Sequence, residues 1–171
     1  MRIATTSFLA LALLGAGCNP VQQAKEKIEQ NVIENAVTNA SGGKVKVDAG
    51  KGQVNVSDNG TSASYGNDVV IPVDFPKEIP VYAGAKVTIV SQSQAEKTAI
   101  LGLHSDDPSD AVAKWYAKTL IDGGWKEEST MNLGEMALRT YTKGDATITA
   151  TFIPEYSGKN GTTINLSLKN K

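Results

Sequence analysis

Two stretches decide the fold of this chain: Thr147-Ile148-Thr149-Ala150-Thr151-Phe152 and Thr163-Ile164-Asn165-Leu166-Ser167-Leu168. Polar and apolar side chains alternate in both without interruption. Successive side chains of a β-strand point to opposite faces of its sheet, so each stretch has one apolar and one polar face. The alternation therefore predicts strands of an antiparallel sheet that is covered on one side only.

Working outward from these stretches, the sequence predicts six strands and one helix. The predicted strands are Lys86 to Ser93, Lys97 to His104, Trp125 to Met131, Met136 to Lys143, Ala146 to Pro154 and Thr162 to Leu168. The helix lies between the second and the third strand, and Gly123-Gly124 ends it. Asp107 is expected to cap this helix, with Pro108 at its first position and Asp110 in its first turn.

The order β-β-α-β-β-β-β predicts an α+β domain, with one amphipathic helix across one face of a twisted antiparallel sheet. Trp115, Tyr116 and Trp125 are expected between the helix and the sheet. One helix is too narrow to cover six strands, so a groove beside it is expected to remain for a ligand or a partner.

A proline-rich segment precedes the first of these strands. This segment, residues 69–84, is called the strap; Pro72, Pro76 and Pro80 recur in it every four residues. Proline lacks a backbone donor and disfavours helix in the residue before it, so the strap is expected to be extended. Its apolar residues, among them Phe75 and Tyr82, either close the core of the domain or dock a partner protein. The candidate binding groove comprises Phe75, Tyr82, Trp115, Tyr116 and Trp125.

The residues before the strap divide into a helix and a spacer. Residues 20–40 carry apolar side chains every three or four positions, which predicts a helix that ends at Gly42-Gly43. That helix either stands free as a stalk or packs on protein. Residues 42–68 are rich in Gly, Ser and Asn, and their short alternating runs predict a marginal hairpin or small strands.

The beginning of the chain has the parts of a secretory signal. Arg2 is followed by an apolar run from Phe8 to Leu14 and then by Gly15-Ala16-Gly17-Cys18. The small residues before Cys18 resemble a bacterial lipobox, although Gly15 stands where leucine is usual. The resemblance implies cleavage before Cys18 and acylation of that cysteine. The predicted organisation is therefore a cleaved signal at 1–17, the lipidated Cys18 and tether helix at 18–41, the spacer at 42–68 and a globular domain at 69–171.

Composition excludes several classes of function. The chain has a net charge of −1, and removal of Arg2 with the signal brings it to −2, which is no footprint for nucleic acid. Cys18 is the only cysteine, and acylation leaves no thiol for catalysis, disulfides or metal. His104, the only histidine, stands close to Asp106 and Asp107 and provides the one alternative of a hydrolase. We expect no catalytic residue, no metal and no cofactor, and hence no enzyme.

Several motifs together resemble a family of uncharacterised bacterial envelope lipoproteins. They are Cys18 with its helix, Lys44-Val45-Lys46-Val47-Asp48, the run from Val73 to Val87, the run from Asp110 to Tyr116, and Gly123-Gly124-Trp125-Lys126. The family offers no established catalytic residues. A helix on an antiparallel sheet also looks like domains of envelope-assembly lipoproteins, at the level of the fold alone.

The resemblance implies a non-catalytic binding or structural module that is held on a membrane by its acylated cysteine. Asn19 is not the aspartate that resembles an inner-membrane retention signal, so the outer membrane facing the periplasm is expected in a Gram-negative host. The partner is expected to be another envelope protein. The alternative is an apolar small molecule or lipid in the helix–sheet groove.

Overall fold

The computed structural model of the protein describes residues 34–35, 37–48, 51–155 and 161–171. Residues 34–35 and 37–40 are helical and form α1, and α2 spans Ser109–Asp122. The strands are β1 (Val45–Asp48), β2 (Gln53–Asp58), β3 (Thr61–Gly66), β4 (Lys86–Ser93), β5 (Thr98–Ser105), β6 (Lys126–Leu133), β7 (Met136–Lys143), β8 (Ala146–Pro154) and β9 (Thr162–Asn170). The predicted signal, Cys18 and most of the predicted tether helix lie outside the described residues. In the described ranges, no helix has the length and hydropathy needed to cross a membrane.

All nine strands form one antiparallel sheet, in the order β1-β2-β3-β4-β5-β9-β8-β7-β6. The predicted fold class and the order β-β-α-β-β-β-β are therefore wrong, because the described chain is mostly β and three more strands precede β4. These strands come from the predicted spacer, whose short runs were expected to form small strands or a hairpin, and they belong to the main sheet. An Asn59-Gly60 turn, with φ of 46° and 78°, joins β2 to β3, and β3 then pairs with β4 from Thr61 opposite Ser93 to Tyr65 opposite Ile89.

The positions of all six predicted strands are confirmed within two residues at each end, and the alternation predicted for 147–152 and 163–168 is confirmed in β8 and β9. In β8 the buried residues are Ile148, Ala150 and Phe152, and the threonines between them lie on the other face. The buried face, called the helix face, carries α2, which packs on β6, β7 and β8. The opposite face is called the open face.

The strap covers the part of the helix face that α2 leaves free. The Val69 amide donates to the Val87 carbonyl of β4 at 3.1 Å, and Gln92 of the same strand donates to the Asp74 carboxylate at 2.9 Å. Phe75 and Ile79 are buried in the same core as the strands. The strap thus closes the core of its own domain, which was one of its two predicted roles.

The start of α2 differs from the prediction. Pro108 is its N-cap, and no side chain caps the helix. Asp107 instead uses its carboxylate to accept a hydrogen bond from the Tyr82 hydroxyl of the strap at 2.8 Å. Its carbonyl accepts from the Thr162 hydroxyl of β9 at 2.7 Å. A residue that looked like a local cap therefore joins three separate parts of the chain.

Candidate binding site

An aromatic cluster fills the space between α2, the strap and the sheet. The Trp115 and Tyr116 rings of α2 meet edge to face at 4.8 Å, and Tyr82 lies 5.1 Å from Trp115 and 6.2 Å from Tyr116. On the sheet side, Tyr116 lies 5.4 Å from Phe152. Aromatic rings at these separations attract one another in addition to the area that they bury. The cluster therefore holds the strap, α2 and β8 together.

The five predicted groove residues are brought to this region, but no open groove lies between them. Phe75, Tyr116 and Trp125 are buried, while Tyr82 and Trp115 are half-buried at the edge of the core. Trp125 follows Gly124, whose φ of 83° turns the chain at the end of α2, and its amide donates to the Leu120 carbonyl at 3.0 Å. The strap occupies the place where the sequence predicts a groove.

Hydrogen bonds from two tyrosines join the strap to α2. The Tyr116 hydroxyl donates to the Pro80 carbonyl at 3.2 Å, and Tyr82 donates to Asp107. Burial raises the pKa of Tyr116, and the hydrogen bond to Asp107 raises the pKa of Tyr82, so both hydroxyls stay protonated as donors at neutral pH. Two backbone hydrogen bonds close turns within the strap. The Phe75 amide donates to the Pro72 carbonyl, and the Ile79 amide donates to the Pro76 carbonyl.

Two clefts open on either side of the strap. The first, called the helix cleft, has a volume of about 440 Å³ and lies between the strap and the end of α2. Its lining residues are Lys77, Glu78, Pro80, Thr119, Leu120, Gly123, Trp125 and Lys143. Lys143 of β7 donates to the Gly123 carbonyl at 2.7 Å, which places its ammonium group at the mouth of the cleft. The helix cleft thus combines apolar and aromatic surface with two lysines and one carboxylate, that of Glu78.

The second cleft, called the strand cleft, has a volume of about 330 Å³. It lies between Asp74 and Pro76 of the strap and the ends of β4, β5 and β9, where Ala99 and Leu168 form its apolar part. Both clefts therefore meet the buried core at the border of the strap.

His104 lies on the open face, on the other side of the sheet from the aromatic cluster. Its Nδ1 is 3.4 Å from the Glu155 carboxylate and its Nε2 is 3.6 Å from Asp106. The side chain is 29% exposed. It borders a surface cavity of about 390 Å³ with Lys86 and Asp68. Across the described ranges, no three His, Cys, Asp or Glu side chains are grouped so that they could hold a metal.

Sequence reasoning missed the lysines of the helix cleft. Lys77 stands in the strap and Lys143 at the end of β7, so only the folded chain brings them to one rim. Pro80 is one of the three regularly spaced prolines from which the sequence predicts the strap. No pattern in the sequence distinguishes Lys143 from any other lysine at the end of a strand.

Comparisons with known proteins identify one similarity. Neither the curated proteins nor the solved structures contain a match to the chain. The chain is similar over residues 85–163 to the family described as START domain-like. The matched residues contain β4 to β8, α2 and the aromatic positions Trp115, Tyr116 and Trp125. The matched residues form one side of both clefts.

Proposed function

We propose that the protein is a non-catalytic, membrane-anchored module of the bacterial cell envelope that binds an apolar small molecule between the strap and α2. The observation that carries this proposal is the strap itself. It is a segment without helix or strand that packs on Trp115 and Tyr116 of the neighbouring region 85–163, which is similar to a START domain-like family. A ligand replaces the apolar side chains of the strap with its own apolar surface.

The contacts of the strap suit such an exchange. Val69, Phe75 and Ile79 are its buried side chains, and all three belong to the core of the domain. A ligand that takes their place keeps that apolar surface out of water, so opening the strap exposes little of it. What remains to be broken is the two tyrosine hydroxyl bonds, the Gln92–Asp74 bond and the backbone bond from Val69 to Val87.

The helix cleft indicates the chemistry of the ligand. Pro80, Leu120 and Trp125 provide apolar and aromatic surface, and Lys77, Lys143 and Glu78 add two positive charges and one negative charge to the lining. Sites for small molecules usually combine an apolar lining with a few well-placed polar groups. An apolar molecule with one anionic group fits this lining best, with its apolar part beneath the strap and its charge at the two lysines.

Fluorescence titration tests the proposal. The mature chain with Cys18→Ser is titrated with anilinonaphthalene sulfonate, an aromatic probe with one anionic group, while Trp115→Phe leaves Trp125 as the only tryptophan. Energy transfer from Trp125 to the bound probe is expected. Lys77→Ala should weaken binding about fivefold, the equivalent of about 1 kcal/mol. Lys86→Ala, a matched exposed lysine at the His104 cavity, should leave the affinity unchanged. Equal effects of the two substitutions, or no energy transfer at saturation, would contradict the proposed site.

An envelope protein is a second candidate partner, favoured by the outer side of the strap. Val70, Val73 and Val81 point away from the core, and Val73 is 97% exposed. A row of exposed valines on an extended segment is typical of a surface that packs on another protein. In this case Val73→Asp should abolish recovery of the partner from crosslinked envelope membranes without changing the circular dichroism spectrum. Ala83→Asp, at another exposed position of the strap, is the matched control.

We further propose the lipid anchor on Cys18 and the outer-membrane location as predicted from the sequence. Mass spectrometry of the mature N-terminus should find a peptide that begins at acylated Cys18, and Cys18→Ser should release the chain from the membrane fraction. Asn19→Asp should move the anchored chain to the inner membrane on a density gradient. An unmodified Cys18 thiol in the membrane-bound chain would contradict the anchor.

A further inference from the structure

The sheet ends in two very different edges. At one end, β1 is four residues long and carries Lys46 and Asp48. At the other, every one of the eight residues of β6 is exposed. The charges of β6 are confined to its beginning, Lys126 to Glu128, next to a β-bulge between Glu127 and Ser129. The second half, Ser129 to Leu133, is uncharged. Charges, bulges and short strands protect an edge against pairing, and this half has none of them.

Apolar surface reaches the outer border of this half-strand on the open face. Met131 is 54% exposed and Leu133 is 56% exposed. In the register of the hairpin, Met131 lies opposite Leu138 and Leu133 lies opposite Met136. Two methionines and two leucines therefore form a patch that continues up to the edge. Methionine side chains adapt to irregular partners, which makes such a patch suited to association.

The turn of the hairpin defines which backbone groups of β6 point outward. Gly134 has a φ of 64° and is the first residue of a two-residue turn between Leu133 and Met136, as in a type II′ hairpin. In such a hairpin the residues that flank the turn hydrogen-bond to each other, and the bonded pairs then alternate along the strands. Met131 and Leu133 thus direct their backbone groups toward β7. The backbone groups of Thr130 and Asn132 point to the outside.

We propose that the protein forms a two-fold dimer in which β6 pairs antiparallel with β6 of a second copy. Met131 lies on the two-fold axis, opposite the partner's Met131. Thr130 lies opposite the partner's Asn132, and Asn132 lies opposite the partner's Thr130. Each of these two pairs exchanges two backbone hydrogen bonds, because both residues direct their N–H and C=O groups outward.

Charge and symmetry favour a second copy over a foreign strand. In this register Ser129 lies opposite the partner's Leu133, so the five paired positions hold no charge on either side. The bulge between Glu127 and Ser129 interrupts the strand before its charged residues. The apolar patch on the open face continues from one copy into the other. Pairing of β6 with β1 would instead produce an open chain of molecules, and β1 is too short and too charged to accept it.

Disulfide formation tests the register. In a mature chain with Cys18→Ser, a Met131→Cys substitution introduces the only thiol. Residues that face each other in a non-hydrogen-bonded antiparallel pair lie about 4.5 Å apart at Cα, which is within the range of a disulfide. Mild oxidation should therefore yield a covalent dimer. Leu138→Cys, on the same face but one strand further in, is the matched control and should stay monomeric. Equal crosslinking of the two variants would overturn the register.

Sedimentation analysis tests the association itself. The Cys18→Ser chain should form dimers as its concentration rises. Asn132→Pro removes an outward N–H and should raise the dimer dissociation constant about tenfold or more, whereas Asn132→Ala keeps the N–H and should leave it unchanged. If Asn132→Pro fails to fold, Met131→Lys, which places two like charges on the axis, should have the same effect. A chain that stays monomeric at every concentration, or that dimerises equally as Asn132→Pro, would overturn the proposal. Protection of the β6 amides only when another envelope protein is added would also overturn it, in favour of a foreign strand.

Discussion

Substitution of Phe75 by alanine tests whether the strap opens independently of the sheet or is a fixed part of the core. Phe75 in the strap and Phe152 in β8 are both buried phenylalanines of the same cluster, at 6% and 0% exposure. Removal of a buried phenylalanine side chain costs about 3–5 kcal/mol when the surroundings hold their shape. We expect that full loss for Phe152→Ala, because β8 is hydrogen-bonded to β7 and β9 along its length.

The loss for Phe75→Ala is expected to be smaller, about 2 kcal/mol, at the low end of the range for large-to-small core substitutions. The reason is that a strap that can detach limits the loss to the free energy of its own docking. Beyond that limit the strap leaves and the sheet stays folded. The same substitution should raise the affinity for anilinonaphthalene sulfonate, because the aromatic site is then less often filled by the strap.

Urea unfolding followed by circular dichroism measures the loss in the free energy of unfolding, and amide hydrogen exchange measures the separate opening of the strap. Exchange in Phe75→Ala should accelerate at the amides of Val69, Phe75 and Ile79, while the amides of β8 and β9 keep their protection. Val73→Ala, at an exposed position of the strap, is the control and should change neither quantity. A loss for Phe75→Ala equal to that for Phe152→Ala, with exchange accelerated over the whole sheet, would refute a separately opening strap.

Other contacts of the structure lead to further predictions. Burial raises the pKa of Tyr116 above its usual 10.0, so the folded state keeps a proton that the unfolded state releases above pH 10. The free energy of unfolding should therefore fall as the pH rises from there. Tyr116→Phe should flatten that fall in urea titrations at about pH 9 to 12. Tyr82→Phe should lower the free energy of unfolding by about 0.5 kcal/mol, with no further loss when Asp107→Asn is added, as a double-mutant cycle would measure. Gly102→Ala should destabilise the fold by about 1–3 kcal/mol, since its Cβ would lie 2.9 Å from the Ile89 Cβ on the neighbouring strand, and a thermal melt with no shift would contradict this.

The sequence is most informative where structure is local. Alternation in 147–152 and 163–168 predicts both the strands and the face that each side chain takes, because that pattern is set by the backbone of each strand alone. The periodic apolar face of α2 predicts its packing on the sheet in the same way. Neither pattern depends on which segment lies next to it.

The prediction is incomplete where a segment is completed by distant residues. The runs that contain Val54 and Val56 predict small strands of a marginal spacer. The strands are present, but the pairing of β3 with β4 makes them part of a nine-stranded sheet. Asp107 looks like a helix cap because aspartate often has that role. Its carboxylate instead accepts a hydrogen bond from the hydroxyl of Tyr82.

The sequence names the five aromatic residues of the candidate site, but it does not predict that the strap fills the space between them. Aromatic residues at helical spacing indicate a site between helix and sheet, and all five reach that region. Composition does not distinguish a groove that awaits a ligand from one that another segment of the chain already fills. Only the position of Ile79 and Phe75 in the folded core makes that distinction.

The strap joins β3 to β4, two strands that are already neighbours in the sheet. A tight turn would suffice to connect them, so the architecture of the sheet places no demand on the length or the sequence of this segment. Closing a flexible loop of twice the length costs only about 0.6 kcal/mol of entropy. A chain that carries a different segment here is therefore expected to keep the register of the nine strands and to differ in what it binds.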